Sequence, residues 1–247
     1  MATRLIREGH WPAFSDIETA EVVFLPCADE QISPTVIKLY EKDQQNSQIL
    51  CATKSCNFAG VKALNRLCHN KYAQHNRPLL AANLETGEIE ATGLCVGDLM
   101  MYTANDWNRN LQNGSLGRLL DVFDEPRTVN LGDEGSPDMR VALGLADYEG
   151  VKHFVLDSDV DAMEHAYAIS VHKAQGSQFR RVIVPIRRSR ILDRTFVYTA
   201  ATRAQVQVIF VGDVDAVREA VALPPKAFSR RVGLREMLDA QIFVGEG

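Results

Sequence analysis

The stretch Val182–Gly212 reads VIVPIRRSRILDRTFVYTAATRAQVQVIFVG, and its pattern changes twice. Val182–Ile186 is a continuous apolar run of strand length, as expected for a strand buried on both faces of a parallel sheet. Asp193–Ala204 places Val197, Ala200, Ala201 and Ala204 at helical spacing. Val206–Gly212, apolar except for Gln207, reads as a second strand. A strand, a helix and a strand in this order require a right-handed crossover and hence a parallel α/β sheet.

The same alternation recurs near the amino end. Val22–Cys27 (VVFLPC) fits a buried strand, and Ser33-Pro34 predicts a helix start, with serine as cap and proline at the first helical position. Gln48–Thr53 (QILCAT) gives a second strand, followed by a helix from about Ala59 to Tyr72 with Val61, Leu64, Leu67 and Cys68 on one face. Between Leu94 and Asp161 the character differs. Short strands, Asp98–Ala104, Gly117–Phe123, Met139–Leu145 and Val151–Leu156, follow one another with no crossover helix, and Asn113-Gly114 and the stretch from Asn130 to Pro137 mark loops. A small antiparallel barrel inserted into the α/β unit is the simplest topology. After it come a short strand near Tyr167–Ser170, the decisive stretch, a helix over Val214–Val221 stopped by Pro224-Pro225, and a last helical segment around Leu234–Ile242.

The 247 residues are 46% hydrophobic and 24% charged, with a net charge of −5, as in an ordinary globular protein. No run of about eighteen apolar residues is present, so no membrane partner is expected and the expected location is cytoplasmic. Five cysteines without a C-x-x-C pair predict neither a disulfide framework nor a zinc knuckle. Cys68 beside His69 is half a metal site at most, and buried small thiols are the simpler reading. Between His172 and Ala204, Lys173, Arg180, Arg181, Arg187, Arg188, Arg190, Arg194 and Arg203 are opposed by Asp193 alone, a basic island that is either a phosphate-attracting surface or a solvated arginine-rich one.

Two segments carry candidate chemistry. In Tyr167–Phe179 (YAISVHKAQGSQF), Ser170 can cap a turn, Lys173 supplies a point charge, and Gly176 permits a tight backbone. In Val197–Ala204 (VYTAATRA), small residues pack on the sheet and leave Arg203 near the helix end, free to reach a phosphate or to bond helix carbonyls. Together, HKAQGS, an apolar strand and YTAATRA resemble motifs V and VI of superfamily 1 helicases, particularly the RecD and TraA/TraI-like group. Gly97–Leu119 (GDLMMYTANDWNRNLQNGSLGRL), Ile49–Leu67 (ILCATKSCNFAGVKALNRL) and Ile6–Phe14 (IREGHWPAF) resemble further stretches of that group in the right order, so the likeness covers nearly the whole chain.

The resemblance implies a second RecA-like α/β domain at 20–95 and 160–247, its parallel sheet flanked by helices on both faces. It is interrupted at 96–159 by a barrel of the Src-homology-3 kind and preceded at 1–19 by a connector from a first motor domain. It implies an arginine finger at Arg203, a nucleotide edge at Gly176 and Gln178, and nucleic-acid contacts at Thr53, Lys54, Ser170, His172 and Lys173. The implied ligands are ATP with Mg²⁺, held mainly by the first RecA-like domain, and single-stranded DNA. The partner is that first domain, in the same helicase or in another subunit, and the implied polarity is 5′ to 3′. Four positions depart from the group: Gln178 for glutamate, Ser115 for aspartate, Ala201 for a bulky aliphatic and Gln205 for lysine. No G-x-x-x-x-G-K-[ST] loop is present, and Asp29-Glu30 and Asp124-Glu125 only mimic a metal-holding acid, so this chain alone is expected not to hydrolyse ATP. Two alternatives stand beside this reading: a non-catalytic nucleic-acid-binding or partner-docking module, and the helicase arm of a conjugative relaxase or of an exodeoxyribonuclease V alpha subunit.

Overall fold

The computed structural model describes residues 2–11, 20–83, 85–133 and 135–224. The chain runs through helix α1 (Ala2–Arg7), β1 (Val22–Pro26), α2 (Asp29–Glu41), β2 (Ser47–Cys51), α3 (Val61–Tyr72) and the strands β3 (Pro78–Ala82) and β4 (Ile89–Cys95). It continues through β5 (Leu99–Tyr102), β6 (Leu116–Asn130), β7 (Met139–Tyr148), β8 (Val151–Leu156), a 3₁₀ turn (Asp157–Ala162) and β9 (Met163–His165). The last described elements are β10 (Ala168–Ser170), β11 (Phe179–Ile186), α4 (Arg194–Thr202), β12 (Ala204–Gly212) and α5 (Val214–Ala222).

β1, β12, β11, β2 and β10 form, in that spatial order, a five-stranded sheet in which every pair is parallel. Its two faces have separate cores, which explains why the strands read as unbroken apolar runs. Val182, Val184, Ile186, Val208 and Phe210 face α1, α4 and α5. Ile183, Ile209 and Val211 point the other way, towards α2 and α3. Each such side chain withdrawn from water contributes roughly 1.5–3 kcal/mol. The α/β class with helices on both faces is therefore the observed one. Trp11 packs edge-on against Phe24 and Phe210, with ring centroids 6.0 and 5.7 Å away, which fastens the amino-terminal segment to the first of these cores.

Inserted in sequence between β2 and β10 is a second five-stranded sheet, entirely antiparallel, in the order β8-β7-β6-β5-β9. Met100, Tyr102, Leu119, Ala146, Tyr148 and Val155 fill its own core. The hairpin β3-β4, which the sequence reading passed over, contributes Leu79, Ala81 and Leu94 to that same core.

α2 begins at Asp29 and not at Ser33-Pro34. Ser33 is buried, and its hydroxyl donates to the Phe58 carbonyl at 2.6 Å, so it ties α2 to the β2-α3 turn and caps nothing. Asp29 and Glu30 occupy the first turn of α2, where carboxylates complement the helix dipole. The predicted segment around Leu234–Ile242 lies outside the described residues. Among the described residues no helix is long and apolar enough to cross a membrane.

Candidate functional site

Strand direction and register sort the candidate residues into two groups. Ser170 pairs with Cys51 at the carboxyl ends of β10 and β2, and the Val171 N–H continues the ladder to the Cys51 carbonyl at 3.3 Å. Thr53 and Lys54 follow directly on β2. Their carbonyls accept from the N–H groups of Val61 and Lys62, both at 3.1 Å, which folds the Thr53–Gly60 turn onto the start of α3. The turn is tight at Gly60, where a side-chain carbon would lie 2.4 Å from the Cys56 nitrogen. Ser170 Oγ accepts from the Lys173 N–H at 3.3 Å, and His172 is exposed. Thr53, Lys54, Ser170, His172 and Lys173 thus belong to the loops that leave two neighbouring strands at one edge of the sheet. Lys173 already pairs with Glu164 of β9 at 2.7 Å.

The chain then turns back. Ala174 is fully buried, and a run of turns (Ala174 N–H to Ser170 O, Gln175 N–H to His172 O, Ser177 N–H to Ala174 O) carries it to Phe179, which pairs with Ala204 at the first residue of β12. Gly176 has φ +89°, and nothing lies within 4 Å of where a side chain would begin, so glycine is required there by the backbone conformation and not by a close approach. Gly176, Gln178 and Arg203 therefore gather at the amino edge of β11 and β12, across the sheet from the other group.

Arg203 is set by α4. Asp193 caps that helix by accepting from the Phe196 N–H at 2.8 Å, and Val197, Ala200 and Ala201 are buried against the sheet. The Arg203 carbonyl accepts from the Phe179 N–H at 2.8 Å, and one Nη donates to the Ser177 carbonyl at 3.1 Å. Its Nε is buried with no acceptor, and among the described residues no carboxylate pairs with it. Exposed Gln178 lines, with Gln44–Gln48, Arg118 and Arg180, a cavity of about 540 Å³ between this edge and the antiparallel sheet.

The basic island is not a single patch. Arg187 pairs with Asp29 at 2.5 Å, Arg188 pairs with Glu219, Arg194 donates to the Val221 and Ala222 carbonyls, and Arg181 donates to the Leu39 carbonyl. Proximity in sequence had concentrated charges that the fold distributes to separate partners.

Asn65 and Asp98 lie in the stretches Ile49–Leu67 and Gly97–Leu119, where nothing in the sequence assigns them a part. The Asn65 amide donates to the His165 and Ala168 carbonyls at 2.9 and 3.0 Å and accepts from the Ala168 N–H at 2.7 Å. It takes the place of a neighbouring strand on the outer side of β10, and so fixes the strand from which Ser170 and Lys173 emerge. Asp98, fully buried, accepts from the Tyr167 hydroxyl at 2.9 Å and the Cys95 N–H at 2.7 Å where the chain passes between the two sheets. A polar residue inside an apolar helical face was the available signal for Asn65.

Residues 165–211, which hold both edge groups except Thr53 and Lys54, match the model of the UvrD-like helicase C-terminal domain. Over 156 residues the chain is 36% identical to RecBCD enzyme subunit RecD of Mycolicibacterium smegmatis, an alignment that covers 62% of this chain and 24% of that protein. These likenesses support a carboxy-terminal part of a RecD-like superfamily 1B helicase. The RecD-like domain is also 29% identical over 146 residues to the ATP-dependent RecD2 DNA helicase of Deinococcus radiodurans, covering 58% of this chain and 18% of that one. The Bacteroides Pif1 helicase in complex with ADP-AlF3 and ssDNA aligns with all of the RecD-like domain and 53% of its own chain, at TM-score 0.47 and 15% identity. The domain thus spans about a quarter of the length of the RecD relative it matches, 24%.

Proposed function

We propose that this RecD-like domain is the second motor domain of an ATP-dependent 5′ to 3′ DNA helicase. In this reading Arg203 is the arginine finger, Gly176 and Gln178 border the nucleotide, and Thr53, Lys54, Ser170, His172 and Lys173 meet the phosphates of a single strand. The antiparallel insert is of the Src-homology-3 kind, and ATP with Mg²⁺ is gripped mainly by a first RecA-like domain on the same chain or a partner subunit.

The observation that carries the reading is the separation of the two groups to opposite edges of one sheet, joined by Ser170–Phe179. A shift of the nucleotide edge is transmitted to the strand-binding edge through a segment packed on the core by Ala174. Arg203 has the attributes of a finger: a helix holds its backbone, its guanidinium has an unused donor at Nε, and among the described residues no acid neutralises it. A planar guanidinium suits a phosphoryl group that accumulates charge on its equatorial oxygens. Closure of two such domains places the finger, and their parting moves the strand-binding surfaces along the nucleic acid.

Phosphate release by the isolated chain, with and without single-stranded DNA, tests the division of labour. No turnover is expected, because the chain has no loop to cradle the β- and γ-phosphates. Turnover that survives repurification contradicts the proposal. The relatives named as RecBCD subunits support one alternative, an exodeoxyribonuclease V alpha-type subunit, in which the same domain works inside a larger assembly.

A further inference from the structure

The two passages between the sheets, Cys95–Leu99 and His165–Ala168, lie beside the end of α3, and three side chains converge there. His69 Nδ1 lies 2.9 Å from Asp98 Oδ2, and His165 Nε2 lies 3.4 Å from the same oxygen. One ligating atom from each of the three residues falls within 4.8 Å of the other two. The two imidazole rings are 4.8 Å apart between centroids. His165 Nε2 is buried without a hydrogen-bond partner, its contact with Asp98 being electrostatic only. We propose that His69, Asp98 and His165 bind a divalent transition metal of the zinc class, which clips the antiparallel insert to the α/β sheet.

The donor set fits this class. Two imidazole nitrogens and one carboxylate oxygen suit zinc and its neighbours, whereas calcium and magnesium take oxygen ligands. Ligands about 2.0–2.1 Å from a tetrahedral zinc stand roughly 3.3 Å from each other. The two distances to Asp98 Oδ2 already bracket that spacing, and the two nitrogens need only move together. A water would complete the tetrahedron, and the partial exposure of the His69 and His165 side chains, 17% and 25%, leaves the site near solvent. The surroundings orient the carboxylate as metal sites require. The Tyr167 hydroxyl donates to Oδ1 at 2.9 Å, and the Cys95 N–H donates to Oδ2 at 2.7 Å. Cys68, the neighbour of His69 in sequence, is buried in the core between α2, α3 and the sheet and takes no part.

The placement also gives the metal a purpose. His69 belongs to the α/β unit, Asp98 stands where the chain enters the insert, and His165 stands where it leaves. One ion at this point fixes the insert to the sheet without a larger interface.

The test uses the full 247-residue chain, stripped with a chelator and titrated with Zn²⁺ in a calorimeter, and with Co²⁺ followed by visible absorption. One equivalent is expected to bind, with the cobalt bands of a nitrogen- and oxygen-ligated ion and a metal-dependent rise in the melting temperature. His69→Gln and His165→Gln should each remove both signals while leaving the metal-free circular dichroism unchanged. Tyr167→Phe, which keeps every ligand, should weaken binding by about 10- to 100-fold, and it decides the matter if either glutamine variant fails to fold. Absence of uptake by the wild-type chain overturns the proposal. So does uptake that persists in the variants, or a cobalt spectrum with thiolate charge-transfer bands, which would place the ion on cysteines.

Discussion

Arg109→Ala tests whether the loop Thr103–Leu111 of the insert is held as the structure has it. The Arg109 guanidinium donates to both oxygens of Asp159 at 2.6 and 2.8 Å, and through Nε to Asp106 at 2.7 Å. The Arg109 and Asp159 side chains are only 10% and 6% exposed, so this is a buried pair. Removing one partner of a buried pair costs about 3–5 kcal/mol, because the other charge stays in the interior. Asp159 would keep the Tyr102 hydroxyl at 3.1 Å and the Leu156 N–H at 3.0 Å, which favours the lower end of that range. The pairing with Asp106, whose side chain is 28% exposed, adds less than about 1 kcal/mol. The expected loss is therefore about 3 kcal/mol, or roughly 6–12 °C in melting temperature for a chain of this size. Urea unfolding followed by circular dichroism measures it as a lower midpoint at constant slope. Arg109→Met combined with Asp159→Asn should cost less than Arg109→Ala alone, since no charge is stranded. A single-variant loss below about 1 kcal/mol would refute the argument, because the pair would then be solvated and exchangeable.

Three further outcomes are expected. Gly212→Ala should destabilise by about 3 kcal/mol or more in thermal melting, since the backbone there has φ +130° and the new carbon would lie 2.1 Å from the Ile186 carbonyl oxygen; a neutral substitution would contradict this close approach. Cys56 should be alkylated first among the five cysteines, as mapped by mass spectrometry. Burial raises its thiol pKa, but the Phe58 and Ala59 N–H groups and Arg187 outweigh that effect and hold it below the usual value, so its thiolate is the first to form as pH rises. Burial pushes Cys68 up to about 12 and raises Cys27, Cys51 and Cys95, so first labelling at any of these would contradict the assignment. Lys54→Ala with Lys173→Ala should flatten the salt dependence of single-strand binding by roughly one to two logarithmic units, at just under one per phosphate contact; an unchanged slope would show that Lys173 stays with Glu164 and that Lys54 touches no phosphate.

The parts of the fold that were legible in sequence are those where one physical demand dominates. Val182–Ile186 and Val208–Gly212 are apolar throughout because both sheet faces are covered, and such a run admits few other readings. The start of α2 was misplaced because Ser33-Pro34 imitates a cap, while the serine's actual partner, the Phe58 carbonyl, is remote in sequence. The hairpin β3-β4 escaped notice because Ile89–Cys95 is mostly exposed and its apolar content is low until it joins the insert's core. Residue types in the candidate site were readable from their order along the chain. Their division between two sheet edges was not, because it depends on the backward course of 171–178, which turn composition alone does not specify. The convergence of His69, Asp98 and His165 was equally hidden, being a product of where the chain passes from one sheet to the other.

Whether Arg203 acts on the nucleotide of a neighbouring domain is decided in the complete two-domain motor. Arg203→Ala should lower kcat for DNA-stimulated ATP hydrolysis by about 10³-fold or more, with a far smaller change in nucleotide affinity. Arg203→Lys should not restore it, because a point charge on a flexible stem lacks the planar fork. A variant that melts at a lower temperature yet turns over ATP at nearly the wild-type rate would contradict the claim and leave Arg203 as a structural residue bonding the Ser177 carbonyl.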